Sequence, residues 1–192
     1  MLFNSYRSFF AVFVVLLVWG CTPFKPLPEH ALQGEGTTSL EVPYVPQIRD
    51  NDCGPAALAS LLKYYGKEVI LEEITNEIYI PALKRTLLPD MENFARAQGF
   101  ETDSGRGDIS LLRQAIDAGI PVIVLMETGS GVVRRPHYIV ITGYTKDGFM
   151  AHAGVMKNVF MGFDEFDRKW RIMNRLYLMI THQTPQTRHD QI

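Results

Sequence analysis

Cysteine is scarce in these 192 residues: there are 2, at positions 21 and 53. That scarcity excludes a disulfide-stapled scaffold, and neither cysteine has the closely spaced partners that a zinc site needs. We expect no disulfide between them and no metal. An excess of positive charge is also missing. With 19 Lys plus Arg against 21 Asp plus Glu the net charge is -2, and no basic stripe runs along the chain, so a nucleic-acid partner has no electrostatic footing. There is no Gly-rich phosphate loop, and no second apolar run after the first that could span a bilayer. No cofactor is expected, and no internal repeat is present.

What is there is a globular composition, 46% hydrophobic and 21% charged, in a length that suits one domain with a sizeable core. Residues 1–20 carry Arg7, then an apolar run from Phe9 to Trp19, then Gly20. A short apolar core after a basic start is a secretory signal rather than a spanning helix. Val18-Trp19-Gly20-Cys21 resembles the lipobox of bacterial lipoproteins, with the bulky Trp19 as its departure. The resemblance implies that Cys21 is acylated and becomes the mature N-terminus, and Thr22 after it resembles lipoproteins sent to the outer membrane. The implied location is the periplasmic face of that membrane, in the bacterial envelope; the alternative is an uncleaved anchor or an ordinary signal with a chance cysteine. Cys53 would then be the sole free thiol, which is compatible with an oxidising compartment. Residues 21–39, rich in Pro, Gly and Thr, are predicted to be a flexible tether, residues 40–181 the domain, and residues 182–192 a polar tail.

Within the domain, Val42, Tyr44 and Val45 between prolines suggest an extended edge segment running into Gln47. Helices are predicted at 54–65, stopped by Gly66, at 71–79, at 89–98 and at 108–118, the last capped by Asp108 and ended by Gly119. The period then changes. Strands are predicted at 121–126, 137–144 and 149–152, near Val159 and at 176–180, with a turn at Lys146-Asp147-Gly148 and a short helix at 163–170. Helices first and antiparallel strands second make an α+β pattern.

The chemistry concentrates on Asp52-Cys53-Gly54-Pro55-Ala56-Ala57-Leu58. A Gly-Pro step opening an apolar run places Cys53 at a helix N-terminus, where unpaired N–H groups and the helix dipole favour thiolate, the nucleophilic form. Such a nucleophile needs a base, a group to orient that base, and donors aimed at the oxyanion. His137, opening a strand after a Gly-rich loop, is the candidate base, and Gln47, six residues before Cys53, can supply an amide donor. Read one at a time, each has a plainer role: a buried thiol, a surface or core histidine, a solvated loop amide.

Together, Gln47, the Cys53 block and Pro136-His137-Tyr138-Ile139-Val140-Ile141-Thr142-Gly143-Tyr144 resemble the bacteriocin-processing, or double-glycine leader, peptidases, which are papain-like cysteine peptidases. The likeness runs from about Val42 to Ile180, including Pro121-Val122-Ile123-Val124 and Phe163-Asp164-Glu165-Phe166 leading to Trp170. It implies Cys53 as nucleophile, His137 as general base and acid, Gln47 as oxyanion donor, and a papain-like fold with a helical half packed on an antiparallel sheet. The family usually places an Asp, commonly followed by Pro, after the histidine strand to orient the imidazole. Here that place holds Ala153, in His152-Ala153-Gly154. His152 is a possible orienting residue, although neighbours in a strand face opposite sides, and Asn158 is a remote one. The expectation is a lipid-anchored envelope cysteine peptidase acting on a peptide or protein, standing apart from the membrane spans and ATP-hydrolysing domain of the related exporters. A lapsed peptidase-like domain that binds a peptide or partner lipoprotein is the alternative, and a transferase using the same nucleophile is a third reading.

Overall fold

In a computed structural model of the chain the described residues are 24–27, 36–129 and 135–182. The predicted signal at 1–20, Cys21, the middle of the tether, most of the Gly-rich loop and all of the polar tail but His182 lie outside them. In chain order the elements are β1 (Lys25–Pro26), β2 (Thr38–Ser39), α1 (Cys53–Tyr64), α2 (Leu71–Ile78), β3 (Tyr79–Ile80), β4 (Arg85–Thr86), α3 (Leu88–Ala97), β5 (Phe100–Arg106), α4 (Ile109–Asp117), β6 (Val122–Glu127), β7 (Pro136–Tyr144), β8 (Gly148–Ala153), β9 (Met156–Gly162), α5 (Phe163–Ile172) and β10 (Leu176–His182). The architecture is α+β, as predicted. An antiparallel sheet runs β1-β9-β8-β7-β6-β10-β5, with β2 on the end of β7, and β3-β4 forms a separate hairpin.

Both faces of the sheet are covered, which is why its central strands read as unbroken apolar runs. Alternation along β7 sends Tyr138 and Val140 to one core, with Leu58, Leu61 and Leu62 of α1, Ile74 of α2 and Met91 of α3. It sends Ile139 and Ile141 to the other, with Leu112 and Ile116 of α4 and Phe166 and Trp170 of α5. The three α1 leucines and Met91 are fully buried, so truncating any one to Ala costs about 2–5 kcal/mol. Trp170 satisfies its buried indole by donating from Nε1 to the Leu176 carbonyl at 2.9 Å.

Three features depart from the sequence-based expectation. Phe-Glu-Thr-Asp-Ser-Gly-Arg, too polar to read as a strand, forms β5 because it is an edge paired only with β10. Val42 to Val45 joins no sheet; it is an extended strap whose Val42 is buried against α1. The tether is docked at both described ends. Phe24 is buried in the core beneath α5, β1 pairs with β9, Leu27 N–H donates to the Asn158 carbonyl at 2.9 Å, and β2 pairs with Tyr144 and Gly143. One aromatic side chain among prolines suffices to hold such a segment, because its burial offsets the entropy of the few residues it fixes.

Candidate active site

The nucleophile end is built first by a local turn. Asp52, 4% exposed, accepts from the Arg49 N–H through Oδ2 at 3.2 Å and donates its own N–H to the Arg49 carbonyl at 3.1 Å. Its carbonyl takes the Ala56 N–H at 2.9 Å, starting α1 with Cys53 as first residue. Gly54 is required by close approach: a Cβ there would stand 3.0 Å from Thr86 Cβ and 3.3 Å from Tyr138 Cδ2. One turn further, Ser60 Oγ donates to the Ala56 carbonyl at 3.0 Å and accepts the Val45 N–H at 3.2 Å, fastening the strap that leads to Gln47.

Cys53 lies beside a cavity of about 10 Å³, room for one water, whose lining includes Tyr44, Ser60, Tyr138, His152 and Gly154. Burial pushes its thiol pKa up, the nearby Asp52 carboxylate adds to this, and backbone hydrogen bonds of Tyr138, Gly54 and Cys53 itself pull the other way. Desolvation is the largest of these influences, so the thiol pKa is raised where position in the sequence alone suggested a lowered one.

His137 comes from the start of β7. Glu127 Oε1 closes the neighbouring loop stem by accepting from the Gly129 and Arg135 N–H groups at 2.6 and 2.8 Å. Burial lowers the His137 pKa to about 4, so the ring is neutral at neutral pH. The structure gives it no hydrogen-bond partner among the described residues.

Gly154 is where these parts meet. It adopts φ 59, and its carbonyl accepts the Tyr44 hydroxyl at 3.1 Å and the Gln47 N–H at 3.3 Å. A Cβ on Gly154 would stand 3.0 Å from both Gln47 Oε1 and His137 Nε2. Gln47 and His137 thus converge over a glycine that also lines the Cys53 cavity. Gln47 Oε1 is buried and has no hydrogen-bond partner.

His152 does not join this group. It pairs with Val140 across β7 and β8, its Nε2–H donates to the Val42 carbonyl at 3.0 Å, and Nδ1 accepts the Asn158 N–H at 3.3 Å. Both ring nitrogens are committed, an edge contact with Tyr44 holds the ring, and it stays neutral because burial lowers its pKa. The orienting role considered for His152 is therefore corrected to a structural one, tying strap to sheet. Asn158, at φ 52, serves the same tie through its backbone. Ala153 pairs with Ile139 and so shares a face with His137 two residues along. It is buried and apolar where an acid would reach the ring. Sequence reasoning missed Gly154, Ser60, Tyr44 and Asp52; only Ser60, a lone hydroxyl in an apolar helical run seven residues after Cys53, carried a readable signal.

A thiol at a helix start, an imidazole opening a central strand of the sheet and an amide near that imidazole, on five helices packed against an antiparallel sheet, are the parts of a papain-like cysteine peptidase domain. Residues 41–184 match the peptidase C39 family, and the chain belongs to it. It is 31% identical over 104 residues to the pediocin PA-1 transport/processing ATP-binding protein PedD of Pediococcus acidilactici. It is 30% identical over 105 residues to the transport/processing ATP-binding protein ComA of Streptococcus pneumoniae. Each match covers 54% of this chain but 14% of the relative. The peptidase domain of Streptococcus ComA superposes with TM-score 0.62 at 28% identity, over 72% of this chain and 97% of that one. A double glycine motif protease in complex with its leader peptide shares the fold at TM-score 0.62 and 22% identity, over 74% of this chain and 93% of that one.

Proposed function

We propose that this chain is a lipid-anchored cysteine peptidase of the bacterial envelope that hydrolyses a peptide bond through an acyl-enzyme on Cys53. The observation that carries the reading is the convergence of Gln47 and His137 over Gly154, a residue that also lines the Cys53 cavity. His137, neutral at rest, takes the thiol proton as the sulfur attacks the carbonyl carbon and returns it to the leaving amine. The Gln47 amide and the Cys53 N–H at the start of α1 are the oxyanion donors. A segment of extended peptide is the substrate class that suits a shallow site of this kind, and a relative has been solved with a leader peptide bound.

The anchor is Cys21, acylated after cleavage of residues 1–20. Phe24 is docked only three residues later, so the domain would sit within about 10 Å of the lipid surface instead of swinging on a long tether. The location follows from this: the periplasmic face of the outer membrane.

The test uses a thiol-selective probe and a peptide library. Labelling of Cys53 near neutral pH that His137→Ala abolishes, together with cleaved products, establishes the peptidase. Intact mass and membrane fractionation of wild type and Cys21→Ser test the anchor: solubility of the variant supports it, and full membrane retention overturns it. A second reading, a domain that only binds a peptide or partner lipoprotein, is favoured by Ala153 and by burial that raises the Cys53 pKa and lowers that of His137. An inert Cys53 and no products from the library would select it.

A further inference from the structure

The polar groups around Cys53 leave one unexplained atom. Gln47 Oε1 is buried without a hydrogen-bond partner among the described residues, and leaving a buried carbonyl oxygen unmet is destabilising. An oxyanion donor uses the other end of the amide, its NH₂, so that role does nothing for the oxygen. His137 Nε2 lies close to it, since a Cβ on Gly154 would stand 3.0 Å from both atoms. That bounds their separation at about 6 Å, a gap closed by one side-chain torsion or one bridging water. The backbone is arranged to keep them there. The Gln47 N–H and the Tyr44 hydroxyl both bind the Gly154 carbonyl, and the positive φ of Gly154 with its missing Cβ leaves the space open. Among the described residues no side chain is bonded to this imidazole: Ala153 is apolar and His152 is tied to Val42 and Asn158.

We propose that Gln47 is the positioning residue for His137, its Oε1 accepting the Nε2–H and so standing in for the absent carboxylate. With that proton engaged, Nδ1 is the free lone pair and takes the Cys53 proton. The amide then has two uses at once, oxygen toward the imidazole and NH₂ toward the oxyanion. An amide oxygen is a weaker acceptor than a carboxylate and brings no charge, so it fixes the tautomer without stabilising imidazolium.

This proposal rests on the peptidase reading for its rates but not for its spectroscopy, and the two are measured separately. In wild type, the His137 Nε2–H proton should give a slowly exchanging, downfield NMR resonance at neutral pH that Gln47→Leu removes. Gln47→Glu should keep that resonance and raise the His137 pKa, a second reading that stands if Gln47→Leu fails to fold. On a peptide substrate, Gln47→Leu should lower kcat on the order of a hundredfold or more. Ala153→Asp should recover much of this loss in the Gln47→Leu background and do less in wild type. An unchanged resonance in Gln47→Leu, or in Gln47→Glu an unchanged His137 pKa, overturns the proposal. So does an equal gain from Ala153→Asp in both backgrounds, which marks Gln47 as an oxyanion donor only. If wild type cleaves nothing, the peptidase reading fails while the resonance and the titration still decide the positioning of His137.

Discussion

The two halves of the site are supported very differently. Around Cys53 the chain commits Asp52 to the turn, Gly54 to close packing and Ser60 to the strap. Around His137 there is a desolvated ring, an apolar Ala153, and a histidine at 152 bonded elsewhere. The nucleophile is held by local structure within one helix start, so it survives the loss of any single long-range partner. The imidazole has no such redundancy, because every group that could orient it arrives from another element. The half built from distant pieces is the half in which one substitution can alter the chemistry without disturbing the fold.

The largest effect expected is from Cys53→Ala, which removes covalent catalysis; the loss in kcat should be on the order of a million-fold, as for other nucleophile deletions, with the melting temperature little changed. Next comes acid stability. Folded His137 stays neutral down to about pH 4 whereas the unfolded residue takes a proton below 6.5, so between these values the unfolded state binds more protons and stability falls as pH is lowered. The contribution is intact above pH 6.5 and lost below about 4, a difference of about 3 kcal/mol. Urea titrations of wild type and His137→Gln across that window should diverge by this amount, and parallel curves would mean the ring is solvated. Ala153→Asp should raise turnover, by less than it restores in the Gln47→Leu background, raise the His137 pKa and so shrink the acid-labile window. A gain in turnover with no shift in the window would place the new carboxylate away from the ring. Smallest is His152→Ala, expected to lower stability by about 1–3 kcal/mol by orphaning the Val42 carbonyl and the Asn158 N–H. A fall in kcat exceeding what Ala153→Asp restores would return His152 to the catalytic half.

Much of this was legible beforehand, and the pattern of misses is physical. The α1 helix was readable because its signals are local: a Gly-Pro start, an apolar face, and a Gly66 stop at φ 77 whose turn donates Lys67 N–H to the Leu62 carbonyl. β7 was readable because burial on both faces writes an apolar run into the sequence. β5 was not, since an edge strand satisfies only one side and tolerates Glu, Asp and Ser. Phe24 was not, since nothing in a Pro-rich segment tells a docked aromatic from a solvated one.

By itself the sequence singled out the candidate groups: the single thiol of the domain, the imidazole that opens β7, the amide six residues ahead of the thiol, and Ala153 where related chains usually carry an acid. The thiol at a helix start follows from residue identity and short-range spacing, while the grouping of the four rests on the motifs' resemblance to a family, which the chain also carries in one dimension. Only the tertiary structure decided what each group is doing. It put His152 to work tying Val42 to Asn158, raised the Cys53 thiol pKa by burial, and brought Gln47 Oε1 and His137 Nε2 to the same point over Gly154. Protonation and orientation depend on desolvation and on atoms delivered from the strap, β7 and the end of β8, and those elements become neighbours only when the sheet has closed around them.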